Sequence, residues 1–274
     1  MMSIIDQHRV APGQTVDLSQ WKTRDSGGVD REAARVRTEE NKAAIADLQH
    51  KLYAQNTRSL LVVLQSMDAG GKDSSIRHVF ARTNPQGVRA KSFAAPTPSE
   101  LAHDFLWRVH LHAPPRGHIA IFNRSHYEDV VVARVESLVP EERWRARYAA
   151  INGFETALTN AGTRVVKIYL HLSKERQREK LRDRLMDPEK NWKFEESDLR
   201  TRKKWDQYMA AYAEAITRCN GEDFPWYIVP TDQKWYRLLV VSQIVREELE
   251  AMEPRFPDKR ISTERAMELL EELD

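Results

Sequence analysis

Ser59-Leu-Leu-Val-Val-Leu-Gln65, followed by Ser66-Met-Asp-Ala-Gly-Gly-Lys-Asp-Ser-Ser75, is the stretch on which the fold of this chain turns. The first seven residues are a short, continuously apolar run, the pattern of a strand buried on both faces inside a parallel sheet. The next ten bring two glycines and a lysine ahead of Ile76-Arg-His-Val-Phe80, whose spacing is helical. A buried strand that ends in a glycine loop opening a helix is the setting of an anion-binding loop. Gly70 and Gly71 let backbone amides turn inward with no Cβ in the way. Lys72 supplies a mobile point charge, and Asp73 and Ser74 stand at the start of the helix, where N–H donors are unpaired.

The loop departs from G-x-x-x-x-G-K-[ST] in two places. Ser66 replaces the first glycine, and Asp73 stands where a magnesium-binding hydroxyl would be. Asp68 is also unusual, because a carboxylate inside a phosphate loop repels its ligand unless a metal or a proton intervenes. It is therefore expected to hold Mg²⁺ or to accept the proton of the phosphoryl acceptor. The competing reading is a plain glycine turn capped by Asp73.

Working outward, further short apolar runs occur at Val88–Phe93, His118–Phe122, Arg164–Leu170 and Trp226–Val229, with helical stretches near 74–83, 99–112, 126–160, 174–218 and 235–252. This alternation predicts an α/β fold, a doubly wound parallel sheet flanked by helices. Residues 1–30, with Pro12, Gly13, Gly27 and Gly28, read as an extended arm, and 31–56 as a helix. The whole is one domain over 1–274: an arm and helix (1–56), an α/β core (57–172 and 219–254), a helical lid region (173–218) and a tail (255–274).

The lid region stands apart by its charge. A helix from Lys174 to Asp187 would carry Glu175, Glu179 and Asp183 in one row and Arg176, Lys180 and Arg184 in the next, with only Leu181, Leu185 and Met186 for core contacts. Such a segment is either a mobile lid or a solvated helix laced with ion pairs.

A second polar motif, Asn123-Arg-Ser-His-Tyr-Glu-Asp129, follows the His118–Phe122 strand. Ligands of open α/β sheets bind beyond the carboxyl ends of the strands, so this segment is expected beside the glycine loop. Arg124 offers a fork of donors to a phosphate, Glu128 and Asp129 offer oxygens to Mg²⁺, and Arg134 could point back from the following helix.

Bulk composition narrows the classes further. Lys and Arg total 43 against 41 for Asp and Glu, a formal charge of +2, so charge alone names no partner. The single cysteine, Cys219, excludes an intrachain disulfide and a Cys-rich zinc site, and reads as a packed thiol. No apolar stretch approaches the ~20 residues of a membrane span, and the N-terminal segment lacks a secretory pattern. The expected address is cytoplasmic, with no membrane partner. His110, His112 and His118 fall across a helix end, a Pro114-Pro115 turn and a strand start, and suggest no metal geometry.

LQSMDAGGKDSS at 64–75, NPQG at 84–87, HDFLWR at 103–108, FNRSHYED at 122–129, and DPEKNWKF at 187–194 with Trp205-Asp206 resemble, in order and spacing, the polyphosphate kinase 2 family. The similarity runs from about residue 5 to 258. Asn123 and Glu128 match its class III branch, whose members use polyphosphate on nucleoside mono- and diphosphates. The resemblance implies a thymidylate-kinase-like P-loop fold with a helical lid, and inorganic polyphosphate with AMP, ADP, ATP or other nucleotides as substrates. It implies Mg²⁺, with Mn²⁺ as an alternative, and a homo-oligomer. By position, Asp68 and Lys72 correspond to the Walker A acid and lysine, and Asn123, Arg124, Glu128 and Asp129 to the Walker B region. Lys180, Arg184 and Lys193 would grip the polyanion. Asn84, Gly87, Asp104 and Arg108, with Asn123, would build the nucleotide pocket, although Phe105, Leu106 and Trp107 equally suit a helix that simply packs into the core.

Two rivals remain at this point. One is an ATP-dependent nucleoside monophosphate kinase on the same fold. The other is a basic-stripe protein that binds polyphosphate or nucleic acid without chemistry. Asp68, Glu128 and Asp129 argue against the second, and against a nucleic-acid partner, because carboxylates beside an anion site weaken binding unless a metal joins them.

Overall fold

All five expected strands form: β1 (Ser59–Gln65), β2 (Val88–Ser92), β3 (Ile119–Asn123), β4 (Thr163–His171) and β5 (Trp226–Pro230). They make one sheet in the order β2-β3-β1-β4-β5, every pair parallel, in a computed structural model that describes residues 4–273. Every residue of β1 is buried, as its apolar run requires. Leu60, Val62 and Leu64 face one layer of helices, and Leu61 and Val63 the other.

The first layer holds α1 (Arg31–Gln55), α2 (Lys72–Val79) and α10 (Lys234–Ala251), reached through Ile45, Leu52, Val79, Leu239 and Ile244. The opposite layer holds α5 (Glu128–Val135), α6 (Glu141–Asn160) and α9 (Trp205–Arg218), which contribute Val130, Ile151, Phe154 and Tyr212. Between these lie the single turns α3 (Pro98–Leu101) and α4 (Trp107–His110), the charged helices α7 (Lys174–Met186) and α8 (Glu196–Lys203), and the outer α11 (Thr263–Glu271).

Several expectations change in detail. β2 is an exposed edge strand, with Arg89, Ala90 and Ser92 in solvent. Its basic residues discourage pairing with another chain, a role for which a doubly buried strand has no need. The 126–160 stretch breaks into α5 and α6 around Ser137, whose φ is +54°, and Pro140. The stretch from 174 to 218 is three helices, of which α9 is core: Tyr208, Ala211, Tyr212, Ala215 and Ile216 are all buried. The solvated, charged part therefore ends near Lys204. Within it only Gln177, Leu181 and Asp198 are buried, while Leu185 and Met186 are exposed and make no core.

The arm lies on the chain's own sheet. Val10 N–H donates to the Trp226 carbonyl (2.9 Å) and Ile228 N–H to the His8 carbonyl (2.8 Å), so an antiparallel bridge covers the outer edge of β5.

Candidate active site

Because β1 and β3 are neighbours, their carboxyl ends bring Ser66–Lys72 and Asn123–Asp129 together. The loop between β1 and α2 is wound by positive φ at Ala69 (+62°) and Gly71 (+102°). A Cβ on Gly70 would lie 1.9 Å from Ser66 Oγ, and one on Gly71 1.9 Å from Arg237 Nη1. Both glycines are thus required by close approach, and Gly71 by its dihedral as well. The Gly70 carbonyl is held from behind by Thr231 Oγ1 (2.8 Å) and Arg237 Nη1 (3.3 Å), while Arg237 Nη2 donates to Ser74 Oγ (3.2 Å).

Lys72 is buried, and its ammonium donates to the Ser66 carbonyl (3.2 Å) and Oγ (3.3 Å). Burial, joined by repulsion from Arg124, pulls its pKa down against the attraction of Asp68, Glu128 and Asp73. Arg124 has φ of +61° and its N–H donates to the Leu64 carbonyl, which turns the side chain over the loop. Arg124 Nη2 donates to Asp68 Oδ1 (2.5 Å), and Nη1 lies 3.7 Å from Glu128 Oε2. Glu128, chiefly, raises the guanidinium's pKa; burial raises that of Glu128 in spite of Arg124 and Lys72. Two cations and two carboxylates are therefore packed at one point.

This point opens into a cavity of about 1330 Å³. Of the residues singled out in the sequence, Asp68, Gly70, Gly71, Lys72, Asp73, Ser74, Asn123, Arg124, Glu128, Lys180, Arg184 and Lys193 line it. Asn123 Nδ2 donates to Asp73 Oδ1 (2.7 Å), and Lys193 Nζ approaches Asp73 Oδ2 (3.8 Å) from the charged segment. Gln177 Nε2 on α7 donates to the Asp68 carbonyl (3.1 Å). Arg184 pairs with Asp198 (3.2 Å). Lys180 has a buried ammonium nitrogen without a hydrogen-bond partner, and burial beside Arg237 and Arg176 lowers its pKa to about 8.

The remaining assignments need correction, since none of these side chains lines the cavity. Asp129 turns towards Arg147 (3.4 Å) and Arg108 (3.7 Å), and this pairing lies outside the cavity lining. Arg108 also donates to the Ala94 carbonyl (2.9 Å). Arg134 pairs with Glu214 (2.7 Å) and lies over Trp144. Asn84 caps a short turn and Gly87 packs against Gln49, where a Cβ would meet its Nε2 at 2.2 Å. Asp104 accepts the Leu106 N–H as a local turn cap.

Sequence reasoning missed Arg77, Lys234 and Arg237, which line the cavity beside Lys180. Arg237 was discernible as the lone charge in Trp235–Val241, and its hydrogen bonds go to carbonyl and hydroxyl oxygens. Burial without a carboxylate at hand lowers its pKa to about 10. A buried cation of this kind is suited to an anionic ligand.

Among the described residues no group of three acidic, histidine or cysteine side chains forms a ready metal cage. The donor set still fits Mg²⁺, which commonly takes one or two protein carboxylates and completes its shell from phosphates and water. Asp68 and Glu128, which converge on Arg124 at the cavity, are carboxylates of that kind, while Asp129 does not line the cavity.

A family profile described as Polyphosphate kinase 2 matches residues 28–257. The chain is 44% identical over 261 residues to an AMP/ADP-polyphosphate phosphotransferase of Meiothermus ruber, spanning 94% of this chain and 98% of that one. It is 42% identical over 269 residues to an ADP-polyphosphate phosphotransferase of Rhodopseudomonas palustris, spanning 92% of each. The crystal structure of polyphosphate kinase 2 from Arthrobacter aurescens superposes with a TM-score of 0.92 at 36% identity, covering 96% of this chain and 95% of that one. The parallel sheet and the loop after β1 are thus those of a P-loop kinase fold, and the chain belongs to the polyphosphate kinase 2 family.

Proposed function

We propose that this protein transfers a terminal phosphoryl group from inorganic polyphosphate to AMP and ADP, and in reverse from the nucleotide to the polymer. The observation that carries this reading is the cluster of cations Arg77, Lys180, Lys234 and Arg237 that lines the cavity together with Lys72. A linear polyanion needs such a cluster, whereas an ATP donor needs an apolar slot for its base. Asn123, Val132, Glu136 and Tyr208, which also line the cavity, mix apolar and polar groups and suit a nucleoside.

In the forward direction an oxygen of the nucleotide's terminal phosphate attacks the last phosphorus of the polymer. The bond from that phosphorus to its bridging oxygen breaks, and the shortened chain leaves with the electron pair. Lys72 and Arg124 face the transferring group and offset its negative charge. Mg²⁺, or Mn²⁺ in its place, would be held by Asp68 and Glu128 and would supply further charge neutralisation. The acceptor phosphate is already ionised near neutral pH, so no strong base is required of Asp68. The segment 174–204, tethered to the loop by Gln177 and Lys193, acts as a lid that excludes water from the donor. No helix among the described residues is long and apolar enough to cross a membrane, in keeping with a cytoplasmic enzyme.

The test is incubation with AMP, Mg²⁺ and long-chain polyphosphate, without ATP, following ADP and ATP by chromatography. Formation of both supports the reading; ADP alone restricts the acceptor to the monophosphate. No product, but turnover once ATP accompanies a nucleoside monophosphate, transfers the case to the ATP-dependent monophosphate kinase. Lys72→Ala should lose at least ~100-fold in kcat, judged from comparable electrostatic sites, and near-normal turnover removes the loop from the mechanism.

A further inference from the structure

Asn84, Gly87, Asp104 and Arg108 stand outside the cavity, and the residues Asn123, Val132, Glu136 and Tyr208 that suit a nucleoside offer no exposed aromatic face to its base. Aromatic side chains are the usual partners of bases, because every base presents a π-face. Four line the cavity: Phe93, Tyr208, Tyr212 and Trp192. The first three are each only 4% exposed and are committed to the core, whereas Trp192 is 73% exposed. Among the described residues its indole is the one aromatic surface of the cavity lining that remains open to a ligand, and covering it would remove apolar area from water.

Its local geometry presents a face. Trp192 Nε1 donates to the Glu189 carbonyl (3.0 Å), which fixes the ring's edge. Lys193 Nζ sits 4.9 Å from the ring centroid on one side. The same ammonium approaches Asp73 (3.8 Å), whose other oxygen accepts from Asn123 (2.7 Å), so the indole is linked through two contacts to the floor of the site. The opposite face of the indole is the one available for stacking.

We infer that Trp192 is the aromatic platform on which the base of the acceptor nucleotide stacks, and so a specificity-determining residue of this site. This rests on the phosphoryl-transfer reading above. Stacking reads the ring and not its edge, so purine nucleotides bind more tightly than pyrimidine ones in proportion to ring area, with neither excluded. The closing of 174–204 then follows nucleotide binding, since the platform belongs to the moving segment.

The test compares wild type, Trp192→Ala and Trp192→Phe. For each, the Kd of AMP is measured by titration calorimetry and the KM values of AMP and of polyphosphate by steady-state kinetics. Ribose 5-phosphate, which lacks the base, is titrated as a control. Trp192→Ala should weaken AMP roughly 5- to 150-fold, the span of single base–aromatic contacts, with ribose 5-phosphate and the polyphosphate KM unchanged. Trp192→Phe should restore most of the affinity, and AMP should quench tryptophan fluorescence in wild type but not in Trp192→Phe. Equal weakening of AMP and ribose 5-phosphate, or a selective rise in the polyphosphate KM, overturns the inference and makes Trp192 a support for Lys193. Absence of polyphosphate-dependent turnover in wild type would instead remove the reaction reading, while the two titrations would still decide the stacking question.

Discussion

Lys180 gives the most quantitative access to the cation cluster. Its ammonium is buried without a hydrogen-bond partner among the described residues, and its pKa falls from 10.5 to about 8 through desolvation first and the neighbouring Arg237 and Arg176 next. The gap corresponds to roughly 3 kcal/mol held against the charged form. For this lowered pKa, the ligand-free fold is penalised while Lys180 is charged, below about pH 8. Its stability therefore rises between about pH 8 and 10.5, where the unfolded chain still binds the proton and the folded one does not. A polyphosphate laid against Lys180 reverses the preference and returns the proton. Affinity should then hold steady below pH 8 and fall about tenfold per pH unit above it. At pH 9 binding should take up nearly one proton, against roughly a tenth of one at pH 7. Calorimetry in buffers of different ionisation enthalpy reads this uptake directly, and Lys180→Met subtracts the ligand's own titration. Equal uptake at pH 9 by wild type and Lys180→Met would refute the placement of polyphosphate against this residue.

Three further outcomes follow from the site and its supports. Gly71→Ala places a Cβ 1.9 Å from Arg237 Nη1 at a φ of +102°; a drop in stability of about 1–3 kcal/mol, seen in denaturant titration, should accompany loss of polyphosphate binding. Asp129→Asn should lower the melting temperature by loosening Arg108 and Arg147 yet leave the Mg²⁺ concentration for half-maximal rate unchanged, whereas Asp68→Asn should raise it; a shift with Asp129→Asn would return that residue to the metal. Lys167 and Glu155, both fully buried, form an ion pair joined by His126 and Tyr127 beneath the Arg124–Glu128 turn. Glu155→Ala should cost about 3–5 kcal/mol by stranding the ammonium, and Glu155→Ala with Lys167→Met should recover much of it in thermal melts.

The sheet was largely legible because four of its strands are buried on both faces and read as continuous apolar runs. β2 escaped that logic, since an edge strand is specified by its one partner, β3, and its side chains can be polar. The loop residues Gly70 to Ser74 and the turn residues Arg124 and Glu128 were legible because strand ends dictate where they lie. Asp129 and Arg134 were not, because within a single helical turn neighbouring residues face different directions, some the cavity and some an adjacent helix, and sequence position alone does not say which. Arg108 enters the expected site only through the HDFLWR resemblance, and its burial against Asp129 and the Ala94 carbonyl, outside the cavity, is not legible in that motif. Arg237 was overlooked for the converse reason. Its surroundings, Leu238 to Val241, announce a core helix, and only the contact with the Gly70 carbonyl reveals what the lone cation supports.

The clamp on Gly70 also bears on the order in which the molecule can be made. The loop is encoded at 66–72, but the groups that hold its carbonyl in place are Thr231 and Arg237. During synthesis at about 5–20 residues per second, the loop waits on the order of ten seconds for those partners to emerge. An unfinished chain would thus carry the glycines and lysine in an unset form, unable to capture polyanions in the crowded surroundings of the ribosome. Stalled chains ending after β4 should accordingly show no polyphosphate retention, whereas chains extended beyond α10 should acquire it in one step.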